Sequence, residues 1–168
     1  MAQYGRPISD VSKSNVTLST GSNAYAVLDE TTASDADYVR SADNEGTCSF
    51  EVALTNTLKD PVNSARHYLK IRIRYQNSVY IDDATVTLKQ GATVIGSWTC
   101  DNASGRVGSY VTFTKTLTTS QANAITDYTA LSVHVAFSSI LTDNTFVSWI
   151  EFECPDGPDS GLEFGIVF

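Results

Sequence analysis

The segment "DETTASDADYVRSADNEG", residues 29–46, has the side chains best suited to chemistry. It combines several carboxylates with Arg40 and has almost nothing apolar in its middle. Asp35 and Asp37 are two positions apart, so on a strand their carboxylates would share a face. Ca²⁺ takes about six to eight oxygen ligands, which such a loop can supply, although the spacing is not that of an EF-hand. Solvated turn residues are the interpretation that we favour, and we predict no metal.

Side chains for acid–base or nucleophilic catalysis are sparse. The histidines, His67 and His134, fall on different predicted strands, and His134 alternates with valines so that its ring points outward. The sequence has no nucleophile elbow, no HExxH motif and no glycine-rich phosphate loop. Carboxylates for glycoside hydrolysis come from distant positions, so that alternative stays open. We predict no catalytic residue and no cofactor, and that the protein is not an enzyme.

Aromatic side chains offer a second kind of site, because flat rings stack on the faces of sugars. The candidates for such a platform are Trp98, Trp149, Tyr110 and Tyr80. Trp149 lies in the most apolar predicted strand and Trp98 ends another, so core packing is favoured for both tryptophans. Carbohydrate binding is kept as an alternative function.

The elements that would position these side chains are predicted to be strands of one domain. The chain has 168 residues, of which 42% are hydrophobic and 18% charged, enough to bury a core without disulfides or metals. The three cysteines are widely spaced and form no CxxC motif, which favours buried thiols. No apolar run approaches about 18 residues, so we expect no membrane-spanning helix and no membrane partner.

Alternation of apolar and polar residues predicts the strands themselves. The segments "CSFEVALT", "HYLKIRIRY", "ATVTLK" and "LSVHVAF" each place their apolar side chains on one face. The segment "FVSWIEFE" has apolar groups on both faces, so we expect that strand to be covered on two sides. Gly91 marks a tight hairpin, and "TTSQANAITDY" predicts one short helix capped by Ser120.

These elements predict an all-β fold, a jelly-roll-like antiparallel β-sandwich with one short helix. A closed barrel would bury the same residues and is the alternative. We divide the chain into an N-terminal arm (1–20), a β-sandwich domain (21–155) and an apolar C-terminal tail (156–168). Burying a large apolar side chain contributes about 1.5 to 3 kcal/mol, so we expect the tail to pack on this domain or on a neighbouring chain.

The charges are unevenly distributed along the chain. The net charge of −8 disfavours nucleic acid as a partner, because phosphate binding requires a cationic face. Lys70, Arg72 and Arg74 form a basic strip, whereas no lysine or arginine follows Lys115 and several carboxylates do. A molecule with a basic strip and an acidic end can pair with copies of itself or with a charged partner.

Four segments in order carry a resemblance to a known family: "GRPISDVS", "AYAVLDETTASDADYVRS", "LTTSQANAITDYTALSVHV" and "VSWIEFECP". Together, over about residues 5–155, they resemble small β-sandwich virion structural proteins of tailed bacteriophages. The resemblance implies that Asp35 and Asp37 set a turn, that a strand begins after them, and that Arg40 pairs with a carboxylate. The tail from Gly157 onward lies outside the pattern.

The resemblance implies a virion structural protein, made in the cytoplasm of the host bacterium. Together with the apolar tail and the uneven charges, it leads us to expect a decoration or cement protein on the capsid exterior. Its partners would be the major capsid protein or other virion subunits, in a homo-oligomer for which a trimer is preferred. A neck or tail structural protein and a carbohydrate-binding module of a tail fibre are the alternatives. With the charges and the apolar tail, the expected partner-binding residues are Arg6, Pro7, Ile8, Lys70, Arg72, Arg74, Leu162, Phe164, Ile166 and Phe168.

Overall fold

The computed structural model describes residues 1–43, 47–76, 83–101, 108–137 and 144–157. Within these ranges the chain forms eleven strands and one α-helix, arranged in two antiparallel sheets. The strands are β1 (Ala2–Gly5), β2 (Pro7–Ser14), β3 (Val16–Leu18), β4 (Val39–Ser41), β5 (Cys48–Leu54), β6 (Tyr68–Tyr75), β7 (Ala84–Gln90), β8 (Thr93–Cys100), β9 (Val111–Thr116), β10 (Leu131–Phe137) and β11 (Thr145–Pro155). The helix, α1, is Thr119–Asn123.

The order of the strands is that of a jelly roll. Sheet A has the order β3-β4-β11-β6-β9, with β1 also paired to β11, and sheet B has the order β2-β5-β10-β7-β8. From β4 to β11 successive strands alternate between the sheets, except for the hairpin β7–β8. This is the double Greek key of a jelly roll, so the predicted fold is confirmed and the described strands form no closed barrel.

The core lies between the two sheets and contains the side chains that period-two alternation placed inward. On β6, for example, Leu69, Ile71 and Ile73 are fully buried while the basic residues between them are partly exposed. Strand β11 is buried on both faces for most of its length, as predicted. The cysteines Cys48, Cys100 and Cys154 are buried thiols, which confirms their predicted state. Within the described residues no helix has the length and apolar composition that a membrane span requires.

Residues 1–20, expected as an N-terminal arm, supply three strands of the sandwich. Strand β1 pairs with the C-terminal part of β11, from Ala2 opposite Pro155 to Gly5 opposite Phe152. Strand β2 forms an edge of sheet B beside β5, and β3 forms an edge of sheet A beside β4. The segment therefore crosses between the sheets twice, the second time at Asn15, whose φ of 51° suits asparagine better than most residues.

A short 3₁₀ turn, Tyr25–Val27, occupies the gap that β1 and β4 leave along β11. The Ile150 amide donates to the Leu28 carbonyl at 3.4 Å, so the turn continues the hydrogen bonding of the sheet. Asp10 of β2 accepts from the amides of Ala24 and Tyr25 at 3.1 and 2.8 Å. The start of the acidic segment is thus held at a defined place beside sheet A.

The N-cap of helix α1 lies two residues earlier than the predicted cap, Ser120. Thr118 is the N-cap, and it forms a capping box with Gln121, in which each side chain bonds the backbone of the other residue. Ser120 lies inside the helix, so the prediction that it caps the helix is wrong. The reason is that a threonine followed by glutamine three residues later satisfies two amides reciprocally, which Ser120 cannot do.

Candidate functional site

The outer face of sheet A brings together aromatic and charged side chains that are far apart in sequence. Strand pairing puts Tyr4 opposite Glu153, and Glu151 opposite Lys70. We call this surface the Tyr/Arg face. It consists of Tyr4, Arg6, Arg40, Tyr68, Lys70, Arg72, Arg74, Tyr110, Phe146, Trp149, Glu151 and Glu153.

The basic strip and the acidic end of the chain meet on this face. Lys70 Nζ lies 3.3 Å from Glu151 Oε1 and 2.5 Å from Glu153 Oε2, and Arg6 Nη2 lies 2.5 Å from Glu151 Oε2. Glu151 is only 4% exposed, and its charge is offset by Lys70 of β6 and by Arg6, which lies between β1 and β2. The opposite charges that could have joined separate molecules are therefore paired within one chain.

Asp35, from the acidic segment, is bound to the same face. Arg72 donates from Nε to Asp35 Oδ1 at 2.6 Å and from Nη2 to Oδ2 at 2.7 Å, and Ser148 Oγ donates to Oδ1 at 3.1 Å. The guanidinium of Arg72 holds the pKa of Asp35 below its usual value. Asp35 therefore ties a loop to sheet A through a bidentate ion pair, whereas the family resemblance had implied a turn residue.

The rest of the acidic segment has structural partners too. The Trp149 indole donates to the Glu30 carbonyl at 2.7 Å, and Asp37 accepts from the Ser19 hydroxyl at 3.3 Å. Arg40 Nη1 lies 3.2 Å from Asp43 Oδ1, which confirms the implied pairing of Arg40 with a carboxylate. In the described part of the chain no three His, Cys, Asp or Glu side chains converge as metal ligands do, and residues 44–46 lie outside that part.

Arg74 is held on the Tyr/Arg face by aromatic rings. Its Cζ atom lies 3.9 Å from the ring centroid of Phe146 and 5.2 Å from that of Tyr110. The Phe146 ring also packs edge-on against Tyr38, with centroids 5.1 Å apart. Among the described residues no carboxylate lies within ion-pair distance of Arg74, so cation–π contacts are its main attractive interactions there.

The tryptophans do not form the sugar platform that was weighed as an alternative. Trp149 is buried on the Tyr/Arg face beneath the loop of Glu30, outside the main core. Trp98 is partly buried and packs against the core, as favoured from the sequence. Tyr80 lies outside the described residues. The exposed ring on this face is Tyr4, which is 45% exposed and which the sequence interpretation missed.

The residues predicted to bind partners fall into three groups. The basic ones share the Tyr/Arg face: Arg6, Lys70, Arg72 and Arg74. Pro7 is buried, and Ile8 is exposed on the edge strand β2. The predicted partner-binding residues of the C-terminal tail lie outside the described residues: Leu162, Phe164, Ile166 and Phe168.

A cleft lies at one end of the sandwich, between the β5–β6 connection and the β9–β10 connection that contains α1. Its volume is about 520 Å³. We call it the end cleft, and it is lined by Asp60, Val62, Asn63, Ser64, Ala122, Asn123, Ile125 and Tyr128. Asp60 Oδ1 accepts from the Val62 amide at 2.8 Å, and Asn63 Oδ1 accepts from the Ala65 amide at 2.9 Å. These two turns shape one wall of the cleft.

Behind the opposite wall, Tyr128 is bonded to the buried His67. The Tyr128 hydroxyl lies 2.7 Å from His67 Nε2, and His67 Nδ1 lies 3.0 Å from the Ala65 carbonyl oxygen. A carbonyl only accepts, so Nδ1 carries the proton and Nε2 accepts from the phenol. Burial lowers the pKa of His67 and raises that of Tyr128, so both groups are neutral at pH 7.

A second buried cluster lies on the outer face of sheet B. Glu51 accepts from Lys89 Nζ and from the Ser132 hydroxyl, both at 2.7 Å. His134 lies opposite Glu51 in the strand register and is partly exposed on this face, so its predicted outward orientation is confirmed. The residues around this cluster are mainly serine, threonine and alanine.

No protein-family model and no curated protein matches the chain. Among solved structures it is similar to the enzymatically active domain of tailspike protein 4 of bacteriophage CBA120, with a TM-score of 0.43 and 14% identity. That match covers 90% of this chain, which spans only 19% of the tailspike chain. It is also similar to a cyclase from Fischerella sp. TAU in complex with 4-(1H-indol-3-yl)butan-2-one, with a TM-score of 0.42 and 12% identity over 92% of this chain and 75% of that chain.

Similarities this weak assign neither a family nor an activity, but they correct one prediction. Because familiar catalytic motifs are lacking, the sequence predicts that the protein is not an enzyme. The names of these two structures, in contrast, describe one as an enzymatically active domain and the other as a cyclase. The physical reason is that catalytic side chains lie on loops and sheet faces, which short motifs and fold class do not specify. The prediction is therefore not carried forward.

Proposed function

We propose that the protein is a structural component of a tailed-phage particle and that it binds neighbouring virion subunits through the Tyr/Arg face. The observation that carries the proposal is the composition of this face, where Tyr4, Tyr68 and Tyr110 lie among four arginines and Lys70. Tyrosine and arginine are enriched at protein interfaces and among the residues that dominate binding energy. The four-segment resemblance to phage virion proteins supports the same proposal.

The internal ion pairs suit such a role because they hold the face rigid. Arg72 is fixed by the two hydrogen bonds that it donates to Asp35, and Lys70 and Arg6 are fixed by those that they donate to Glu151. Side chains that are already immobilised lose little conformational entropy on binding, which leaves more of the contact energy as affinity. A protein that binds only the assembled shell stabilises that shell by mass action. Capsid decoration is the location that we propose, with a trimer as the oligomer.

The test of this proposal is the number of copies in purified particles of the phage that encodes the chain. Particles are washed at high salt, and the protein is quantified against the major capsid protein by mass spectrometry. Hundreds of copies are expected for a shell protein. A dozen copies or fewer would place the protein in the neck or tail, and its loss from washed particles would overturn a structural role.

Reconstitution on particles that lack the protein tests the face itself. Tyr4→Ala and Tyr110→Ala should each lower occupancy at least about tenfold, as expected for an aromatic residue central to an interface. Thr87→Ala and Thr99→Ala, on the outer face of sheet B, are the matched controls and should bind normally. Equal occupancy for all four variants would exclude the Tyr/Arg face. A variant without residues 161–168 tests the contribution of the tail separately.

A further inference from the structure

We propose that the end cleft is a binding site for a neutral carbohydrate of one or two sugar rings. The site is separate from the Tyr/Arg face, so it adds a function to the one proposed above. Its volume of about 520 Å³ lies within the range of small-ligand sites in proteins. Both of its walls are connections between strands, which is where binding residues are commonly found on a rigid scaffold.

The polar groups of the lining fit a ligand that carries hydroxyls and no charge. The described residues that line the cleft include no lysine, arginine or histidine, so none of them can neutralise a phosphate or a carboxylate. Asp60, Asn63 and Asn123 supply one carboxylate and two amides, which accept from and donate to neighbouring hydroxyls. These two turn hydrogen bonds use Oδ1 of Asp60 and Oδ1 of Asn63, and they do not involve Asp60 Oδ2 or the Asn63 amide nitrogen.

The apolar groups of the lining fit the hydrocarbon face of a sugar ring. Val62, Ala122 and Ile125 line the cleft beside the amides. Val62 is 78% exposed and supplies the open apolar surface, whereas Ala122 and Ile125 are largely buried, at 3% and 5% exposed. An apolar surface next to a few placed amides and a carboxylate is the usual arrangement of a site that orients a small polar ligand.

The walls of the cleft are held in place before any ligand binds. Val62 has a φ of 52°, a conformation that is strained for a β-branched residue and that is often retained at binding sites. On the other side, the hydrogen bond between Tyr128 and His67 and the capping box of α1 fix the β9–β10 connection. A site whose walls are already ordered loses little conformational entropy when a ligand binds.

The experiment is a screen of the full chain on an array of neutral mono- and disaccharides, followed by calorimetric titration of the best ligand. We expect a dissociation constant between about 10 µM and 1 mM, and Asn123→Ala should weaken it about tenfold. Asn56→Ala is the matched control, because Asn56 is exposed but does not line the cleft. Thermal unfolding of both variants should match that of the unsubstituted chain.

Four outcomes would overturn the proposal: no neutral sugar binds, the phosphorylated form of the same sugar binds more tightly, a small cation such as choline binds more tightly, or Asn123→Ala binds as well as the control. Tyr4→Ala and Tyr110→Ala should keep full sugar affinity. Failure of this site and failure of the virion interface are therefore distinguishable.

Discussion

His67 is the most deeply buried titratable base among the described residues, with 1% of its surface exposed. Burial lowers its pKa, and its Nε2 atom is occupied by the Tyr128 hydroxyl, so the folded chain keeps the ring neutral. In the unfolded chain the pKa of histidine is about 6.5. As the pH falls from 7 toward 5, the unfolded state binds a proton that the folded state does not. The free energy of unfolding should therefore fall by up to about 1.4 kcal/mol per pH unit in this window.

The substitution His67→Gln tests this origin of the pH dependence. Glutamine can accept from Tyr128 and donate to the Ala65 carbonyl, but it does not titrate. The variant should be less stable at pH 7 and should lose most of the slope between pH 7 and 5 in urea unfolding curves. His134→Gln is the control, since His134 is partly exposed and should contribute less. Retention of the full slope in the His67 variant would contradict the prediction.

Val62 is a residue in an unfavourable backbone conformation. Its φ of 52° costs a β-branched residue about 1 to 3 kcal/mol, whereas asparagine adopts this region readily. Val62→Asn should therefore stabilise the chain by about 1 kcal/mol and raise Tm by about 2 to 4 °C in a calorimetric scan. Val94→Asn, at an exposed position of strand β8, should bring no gain because asparagine suits strands poorly. An unchanged or lower Tm for Val62→Asn would mean that the left-handed conformation is not strained.

At the scale of elements, the contact between β8 and α1 depends on Gly96. A Cβ atom at this position would lie 2.5 Å from Trp98 Cη2 and 2.7 Å from Gln121 Nε2, closer than real Cβ contacts allow. Gly96→Ala should therefore push the indole ring or the capping box aside and cost about 1 to 3 kcal/mol in chemical denaturation. Thr99→Ala, an exposed position on the same strand, should change stability by less than about 0.5 kcal/mol. A neutral Gly96→Ala variant would show that the strand and helix are not in tight contact.

For the molecule as a whole, the first 20 residues decide whether the sandwich is complete. Strands β1 and β3 belong to sheet A and β2 to sheet B, so removing residues 1–20 uncovers strands of both sheets. We expect the truncated chain to show no cooperative thermal transition when unfolding is followed by circular dichroism. We also expect it to aggregate, because the uncovered strands carry unpaired backbone N–H and C=O groups. A separate arm could be removed without effect on Tm, and an unchanged Tm would therefore contradict the arrangement of strands. Tyr4→Ala, which keeps β1 intact, is the control.

Local features of the fold followed from the residues themselves. Period-two alternation placed Leu69, Ile71 and Ile73 in the core because side chains of a strand alternate between faces whatever the strand pairs with. The hairpin at Gly91 followed in the same way, since its φ of 56° suits glycine. Apolar groups on both faces of "FVSWIEFE" likewise indicated a strand that is covered on two sides. No local pattern indicated which strand lies beside it.

The neighbours of each strand depend on chain reversal and sheet register, which couple residues far apart. Lys70 and Glu151 are 81 positions apart, and Arg6 and Glu151 are 145 apart, yet register makes them ion pairs. The uneven charge that suggested contacts between molecules is for that reason partly paired inside one chain. The end cleft likewise joins two connections that have no common sequence pattern. Burial and alternation are properties of single strands, so they could be predicted from the sequence. Charge pairing and clefts are properties of pairs of distant segments, so only the tertiary structure determines them.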